Sequence, residues 1–120
     1  MTSFAAPEQL LSDIDARSAA ALIAAAADVA LVIDGQGVIR DLAIGNPDLA
    51  FDGSDGWIGR HWLETVTVES RPKVLAMLRD AAARNGAESP WRQLNHPMAS
   101  GADVPVLYQA VPVGRRVVAL

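Results

Sequence analysis

The stretch ALVIDGQGVIRDL, residues 30–42, decides the fold. Two short runs of branched aliphatic residues, Ala30 to Ile33 and Val38 to Ile39, flank the turn-rich Asp34-Gly35-Gln36-Gly37. Such a turn either bends a hairpin or grips a phosphate. A dinucleotide-binding loop would place its third glycine where Arg40 stands, and would open a helix whose N-terminus holds the anion; the β-prone VIRDL follows instead. Asp34-Gly35 is by itself a strong hairpin signal. The turn therefore reads as structural, joining two strands.

Before the hairpin, Pro7 and Glu8 suit the first turn of a short helix through Ile14, and Asp15 can cap a second helix to about Ala27 with Ser18 three residues on. The second helix is mostly alanine, so beyond Leu22 and Ile23 it carries little bulky apolar area and offers a smooth surface to a neighbouring backbone. After the hairpin, Gly45-Asn46-Pro47 and Asp52-Gly53-Ser54-Asp55-Gly56 mark an irregular region in which only short helical turns fit. Thr67 then caps a longer helix through about Arg84, stopped by Asn85-Gly86. Val74, Met77, Leu78, Ala81 and Ala82 recur on one face of it, which assigns Met77 to the core.

Beyond Gly86 the periodicity changes to two. Trp91 to Leu94 form one strand, Val104 to Val113 a second, and Arg116 to Leu120 a third after a bend at Val113-Gly114-Arg115. Pro105 and Pro112 call for edge positions or bulges, because neither donates a ladder hydrogen bond. The expected class is α+β: a five-stranded antiparallel sheet with helices on one face, an N-terminal helical cap over residues 1–28 and a core over 29–120. The last strand stops without a closing polar tail, so the chain is expected to be a fragment of a longer regulator with its final strand truncated.

The 120 residues contain no cysteine, which removes disulfides, thiolate ligands and thiol redox chemistry. The apolar segment Ala19 to Ile33 is broken by Asp28 and is short of the about 20 residues a membrane span needs, and no signal-peptide pattern precedes it. A cytoplasmic domain without membrane contact is expected. Formal net charge is −4: residues 1–55 carry nine acids against two arginines, and residues 56–120 five acids against eight bases. Arg71, Lys73, Arg79 and Arg84 read as the solvated side of the long helix, too sparse for a nucleic-acid face.

Catalysis has no credible actors. No serine lies in a nucleophile-elbow context, no two carboxylates are forced onto one active face, and Asp52 and Asp55 are too few for a calcium loop. His61 and His96 sit in different elements without acidic or cysteine neighbours at ligand spacing. His61 reads as a packed or exposed histidine, with haem ligation as its sharper alternative, and His96, before Pro97, as a local hydrogen-bonding group. Trp57, Trp62 and Trp91 read as large pieces of the core. No catalytic, cofactor-binding or metal-binding residue is assigned, and no cofactor is expected.

The order of elements, with ALVIDGQGVIRDL as first hairpin, WIGRHWLETVTVESRPKVLAML as the loop into the long helix and SPWRQLNHP as third strand, resembles a PAS domain. Gly59-Arg60-His61-Trp62 is the most distinctive local match. The chain more closely resembles the N-terminal PAS-like domain of the PpsR/CrtJ family, repressors of photosynthesis genes in purple bacteria. That resemblance implies a non-catalytic oligomerisation and signal-relay domain of a transcriptional repressor, with DNA contacted by a helix-turn-helix outside this segment and an antirepressor flavoprotein as a partner. It also implies homo-oligomerisation through the N-terminal helix and a sheet face, with Ala20, Ala21, Leu22, Ile23, Ala24 and Ala27 as interface residues. The alternatives are the sensory PAS domain of a signalling kinase or a small-ligand-binding sensor module.

Overall fold

The computed structural model describes residues 15–45, 54–83, 90–113 and 116–120. The helix expected through Ile14 and the turns around Asn46-Pro47, Asn85-Gly86 and Gly114-Arg115 lie outside the described residues.

Helix α1 (Ala16–Ala26) starts as its sequence directs: the Asp15 carboxylate accepts from the Ser18 amide at 2.7 Å. Asp15 is held below the usual carboxylate range chiefly by that backbone hydrogen bond. The helix ends where Ala27 turns extended. It feeds strand β1 (Val29–Ile33), which pairs antiparallel with β2 (Ile39–Ile44), the register slipping between Val32 and Ile33.

The turn between these strands is a hairpin bend. Asp34 Oδ1 accepts from the amides of Gln36 at 2.8 Å and Val38 at 3.1 Å, and Oδ2 takes the Arg40 Nε–H at 2.7 Å. The Asp34 carboxylate is thus consumed within the turn. Gly37 is required twice over: its φ is +82°, and a Cβ there would run into the imidazole of His61. Gly37→Ala is expected to destabilise the domain by about 2 kcal/mol, combining left-handed strain with displacement of His61. Urea titration of the two chains measures it, and an unchanged midpoint would contradict this account of the turn.

Three 3₁₀ turns follow, Ser54–Trp57, Trp62–Thr65 and Val68–Ser70, and the last runs into α2 (Arg71–Ala83). The helix expected from Thr67 therefore begins with a tighter turn. Its hydroxyl bonds the Ser70 Oγ at 3.1 Å instead of a helix amide, because this turn is tied to a strand: the Thr67 amide donates to Asn95 O at 2.8 Å and Ser70 Oγ accepts from the Asn95 amide at 3.0 Å. Val74, Met77 and Ala81 of α2 are buried, as their spacing predicts. Arg71, Lys73 and Arg79 are exposed, and Lys73 Nζ donates to Gln93 O at 3.0 Å.

The later strands are β3 (Arg92–Pro97), β4 (Asp103–Tyr108), β5 (Ala110–Val113) and β6 (Arg116–Ala119). They do not join the hairpin in one five-stranded sheet. One sheet has the order β2-β1-β6-β5, and β3 and β4 form a separate two-stranded ribbon. The run expected as one strand from Val104 to Val113 divides at Gln109, which exchanges both backbone hydrogen bonds with Leu120 at 3.0 Å. On the far side of Gln109, β4 pairs with β3 alone.

Alternation of bonding along an antiparallel strand explains how the prolines fit. With Gln109 bonded to Leu120, Val111 and Val113 face β6, so Pro112 points its missing donor outward. Asn95 spends its backbone groups on Thr67 and Ser70, so its partner Pro105 faces away from β3. Neither proline breaks a ladder that forms. Between the sheet and α2 lies a core of Leu31, Ile33, Ile39, Trp57, Trp62, Leu94 and Tyr108, all buried.

Candidate functional site

Two places concentrate side chains that packing alone does not explain. The first is buried. His96, expected to form a local bond at a strand end, is fully enclosed: β3 directs its ring inward, where Nδ1 lies 2.7 Å from Thr65 O and Nε2 2.8 Å from the Tyr108 hydroxyl. A carbonyl only accepts, so Nδ1 carries the proton and the hydroxyl donates to Nε2. Trp57 stacks on the ring at 4.4 Å, and Trp62 meets Tyr108 edge-on at 5.7 Å. Burial lowers the His96 pKa to about 4, partly opposed by its bond to the Thr65 carbonyl, and burial raises that of Tyr108 far above its ordinary value. The pair is neutral across the physiological range and closed to solvent. It supplies rigidity to the joint between the Trp62–Thr65 turn and the β3–β4 ribbon, not proton transfer to a solute.

His61 packs against the first hairpin. Its Nδ1 accepts from the Leu63 amide at 3.1 Å, and its ring covers Gly37. Among the described residues no group of histidine and acidic side chains could hold a metal ion.

The second place is a surface. Helix α1 buries none of its residues, and Leu22 is 58% exposed. Of the residues expected at an interface, Ala20 and Ala21 are exposed, while Ile23, Ala24 and Ala27 are half-buried. Part of that cover is intramolecular. Gly45 passes beneath the last turn so closely that a Cβ would strike the carbonyl oxygens of Ala24 and Ala27, so the smooth alanine face is used by the domain's own β2 end. Leu22, Ile23 and Ala27 line a groove of about 760 Å³ that continues onto the ribbon at Trp91 and Leu107. Ala20, Ala21 and Ala24 do not line it.

Trp91 and Leu107 are 59% and 61% exposed, and sequence reasoning missed both as surface groups. Trp91 was expected in the core. Leu107 carried a usable signal: it falls between Val106 and Tyr108, so period-two alternation turns it to the opposite face.

A helix, an antiparallel sheet and a long helix arranged in this way define the PAS fold, and comparison with solved structures bears this out. A domain of a sensory box sensor histidine kinase/response regulator from Geobacter sulfurreducens superimposes with a TM-score of 0.63 at 14% identity, covering 86% of this chain and 90% of that one. The PAS domain of an HTR-like protein from Haloarcula marismortui gives a TM-score of 0.60 at 17% identity, covering 86% and 95%. No family model and no curated protein matches the sequence.

Proposed function

We propose that this domain is a non-catalytic PAS-type module that associates with a second copy of itself and relays a signal within a larger signalling protein. The observation that carries the reading is the unburied helix α1 lying beside Trp91 and Leu107, one apolar surface shared by helix and sheet. An 11-residue helix this short of bulky side chains gains little from its own fold, so a partner surface is its natural complement. The likeness to a sensor kinase domain supports a sensory or relay role of the kinase type over a repressor role. No helix among the described residues is long and apolar enough to cross a membrane, and we place the module in the cytoplasm.

A second, narrower reading makes the domain the N-terminal PAS-like unit of a photosynthesis-gene repressor of the PpsR/CrtJ type. It rests on the sequence resemblance around Gly59-Arg60-His61-Trp62. DNA contact and engagement of an antirepressor flavoprotein would then belong to the whole regulator.

Sedimentation equilibrium of the whole chain, of Leu22→Asp and of a chain beginning at Asp28 tests association, with circular dichroism confirming that each variant folds. A dimer that weakens at least tenfold in Leu22→Asp is expected. A monomer at high micromolar concentration for the whole chain defeats the proposal, and a dimer unchanged by both alterations moves the contact away from α1.

A further inference from the structure

Four aromatic rings stand in unbroken contact through the core. Trp57 stacks on His96 with ring centres 4.4 Å apart, His96 meets Tyr108 edge-on at 5.6 Å, and Tyr108 meets Trp62 edge-on at 5.7 Å. Tyr108, His96 and Trp62 are 0% exposed, and within this row Trp57 alone reaches the surface, at 6%. At the centre of the row the Tyr108 hydroxyl donates to His96 Nε2 at 2.8 Å, while His96 Nδ1–H is held by Thr65 O at 2.7 Å. The imidazole therefore presents its one basic nitrogen to a buried phenol.

A phenol gives up an electron at neutral pH only if its proton leaves as well, because the phenol radical cation is a far stronger acid than imidazolium. At Tyr108 the proton acceptor is already in place. Burial raises the Tyr108 pKa far above its ordinary value, so the proton moves with the electron and not ahead of it. Burial also lowers the His96 pKa to about 4, which keeps Nε2 free of solvent protons at neutral pH. The imidazolium formed by the transfer is held on every side: Nδ1–H stays on the Thr65 carbonyl, Nε2–H points back to the phenoxyl oxygen, and the Trp57 ring lies against the new charge. The polarity of one hydrogen bond reverses and its two heavy atoms stay together. No thiol competes as electron donor, since the chain has no cysteine, and Tyr108 is its only tyrosine.

We propose that Tyr108 and His96 form a proton-coupled one-electron donor site, which passes an electron through Trp57 to a strong outer-sphere oxidant at the surface, such as the carbonate radical, and keeps the phenolic proton inside the protein. The step balances. The oxidant gains one electron and Tyr108 loses one; the phenolic O–H bond breaks and an N–H bond forms at His96 Nε2, leaving a neutral phenoxyl radical beside an imidazolium. Trp57 acts as the relay, its indole giving an electron to the oxidant and taking one from Tyr108 across the His96 ring. An electron from a small one-electron reductant of the enediol class, such as ascorbate, reverses every part of the step. The site stands apart from self-association, because α1 and the groove contribute no ring to the row.

The test uses the 120-residue chain and ruthenium(III) tris(bipyridine), generated by a light flash with an electron-accepting quencher. With a single tyrosine in the chain, any tyrosyl signal in EPR or transient absorption belongs to Tyr108. A neutral tyrosyl radical is expected in the folded chain, living at least tenfold longer than the radical made in urea. Its g-tensor should carry the displacement that a hydrogen bond from a cationic donor produces, which reads the His96 imidazolium in the unaltered protein. Trp57→Phe keeps a ring against His96 but removes the relay, and should lower the radical yield at least tenfold while circular dichroism shows the fold retained. Trp91→Phe removes the exposed indole outside the row and should leave the yield undiminished. Three results overturn the proposal: oxidation that stops at tryptophan without a tyrosyl signal, a tyrosyl signal with the g-tensor of a phenoxyl lacking that hydrogen bond, or a yield that does not fall in Trp57→Phe or falls instead in Trp91→Phe.

Discussion

Replacing Trp62 with alanine is expected to cost about 3–5 kcal/mol, the loss typical of truncating a fully buried large aromatic. The residue is 0% exposed, and its ring meets Tyr108 at 5.7 Å with an interplanar angle of 81°. Its amide donates to Gly37 O at 2.9 Å, so the side chain that fills the core hangs from the same backbone that closes the first hairpin. A domain of this size has about 5–15 kcal/mol of stability in all, and the variant should therefore sit near its unfolding midpoint at ambient temperature. Trp62→Phe should cost far less. The buried indole N–H has no hydrogen-bond partner, so phenylalanine forfeits ring volume and no polar contact. Guanidinium titrations of the three chains give the comparison, and a loss below about 1 kcal/mol for the alanine chain would remove Trp62 from the centre of the core.

Acid should unfold the domain earlier than its exposed carboxylates require, because of His96. In the unfolded chain the imidazole titrates near 6.5, and in the fold burial lowers this to about 4. Between those values the unfolded state binds the proton and the native state does not, so stability is complete above pH 6.5 and falls with acidification. The slope approaches about 1.4 kcal/mol per pH unit, and the total by pH 4 is about 3 kcal/mol. Asp34, held low first by the Arg40 side chain and then by the Val38 amide, contributes stability that is lost only as pH drops below its unfolded value of 3.8. The two effects thus occupy different windows. Stability measured by urea titration from pH 7 to 4.5 should fall in the native sequence and stay nearly level in His96→Gln. Parallel curves for the two chains would refute the assignment.

The groove and the buried His96 pair bear on function in opposite ways. The pair fixes the ribbon to the Trp62–Thr65 turn through Thr65 O and Tyr108, so the ribbon cannot swing without breaking buried hydrogen bonds. The groove, by contrast, is an open apolar surface lined by Leu22, Ile23, Trp91 and Leu107.

Local chemistry written along the chain determined much of this protein. Asp15 with Ser18, the Asp34-Gly35 turn, the helical spacing of Val74, Met77 and Ala81, and the alternation of Val104, Val106 and Tyr108 each act within a few residues, and each element formed where those signals stand. The exposed face of α1 was legible in part, for an alanine-rich helix with only two bulky side chains announces one, and Leu22, Ile23 and Ala27 line the groove beside it. What the tertiary structure decided is everything that depends on which strand lies beside which. His96 became a core residue because β3 places it between Thr65, 31 positions before it, and Tyr108, 12 after. Trp91 became a surface residue because the ribbon turns it outward, and the single expected sheet became two because β6 pairs with β1 and β5 while β4 pairs with β3 alone. Periodicity specifies the face a side chain takes within its own strand; the neighbour across that face is chosen by ladder pairing between distant segments, and no local pattern encodes it.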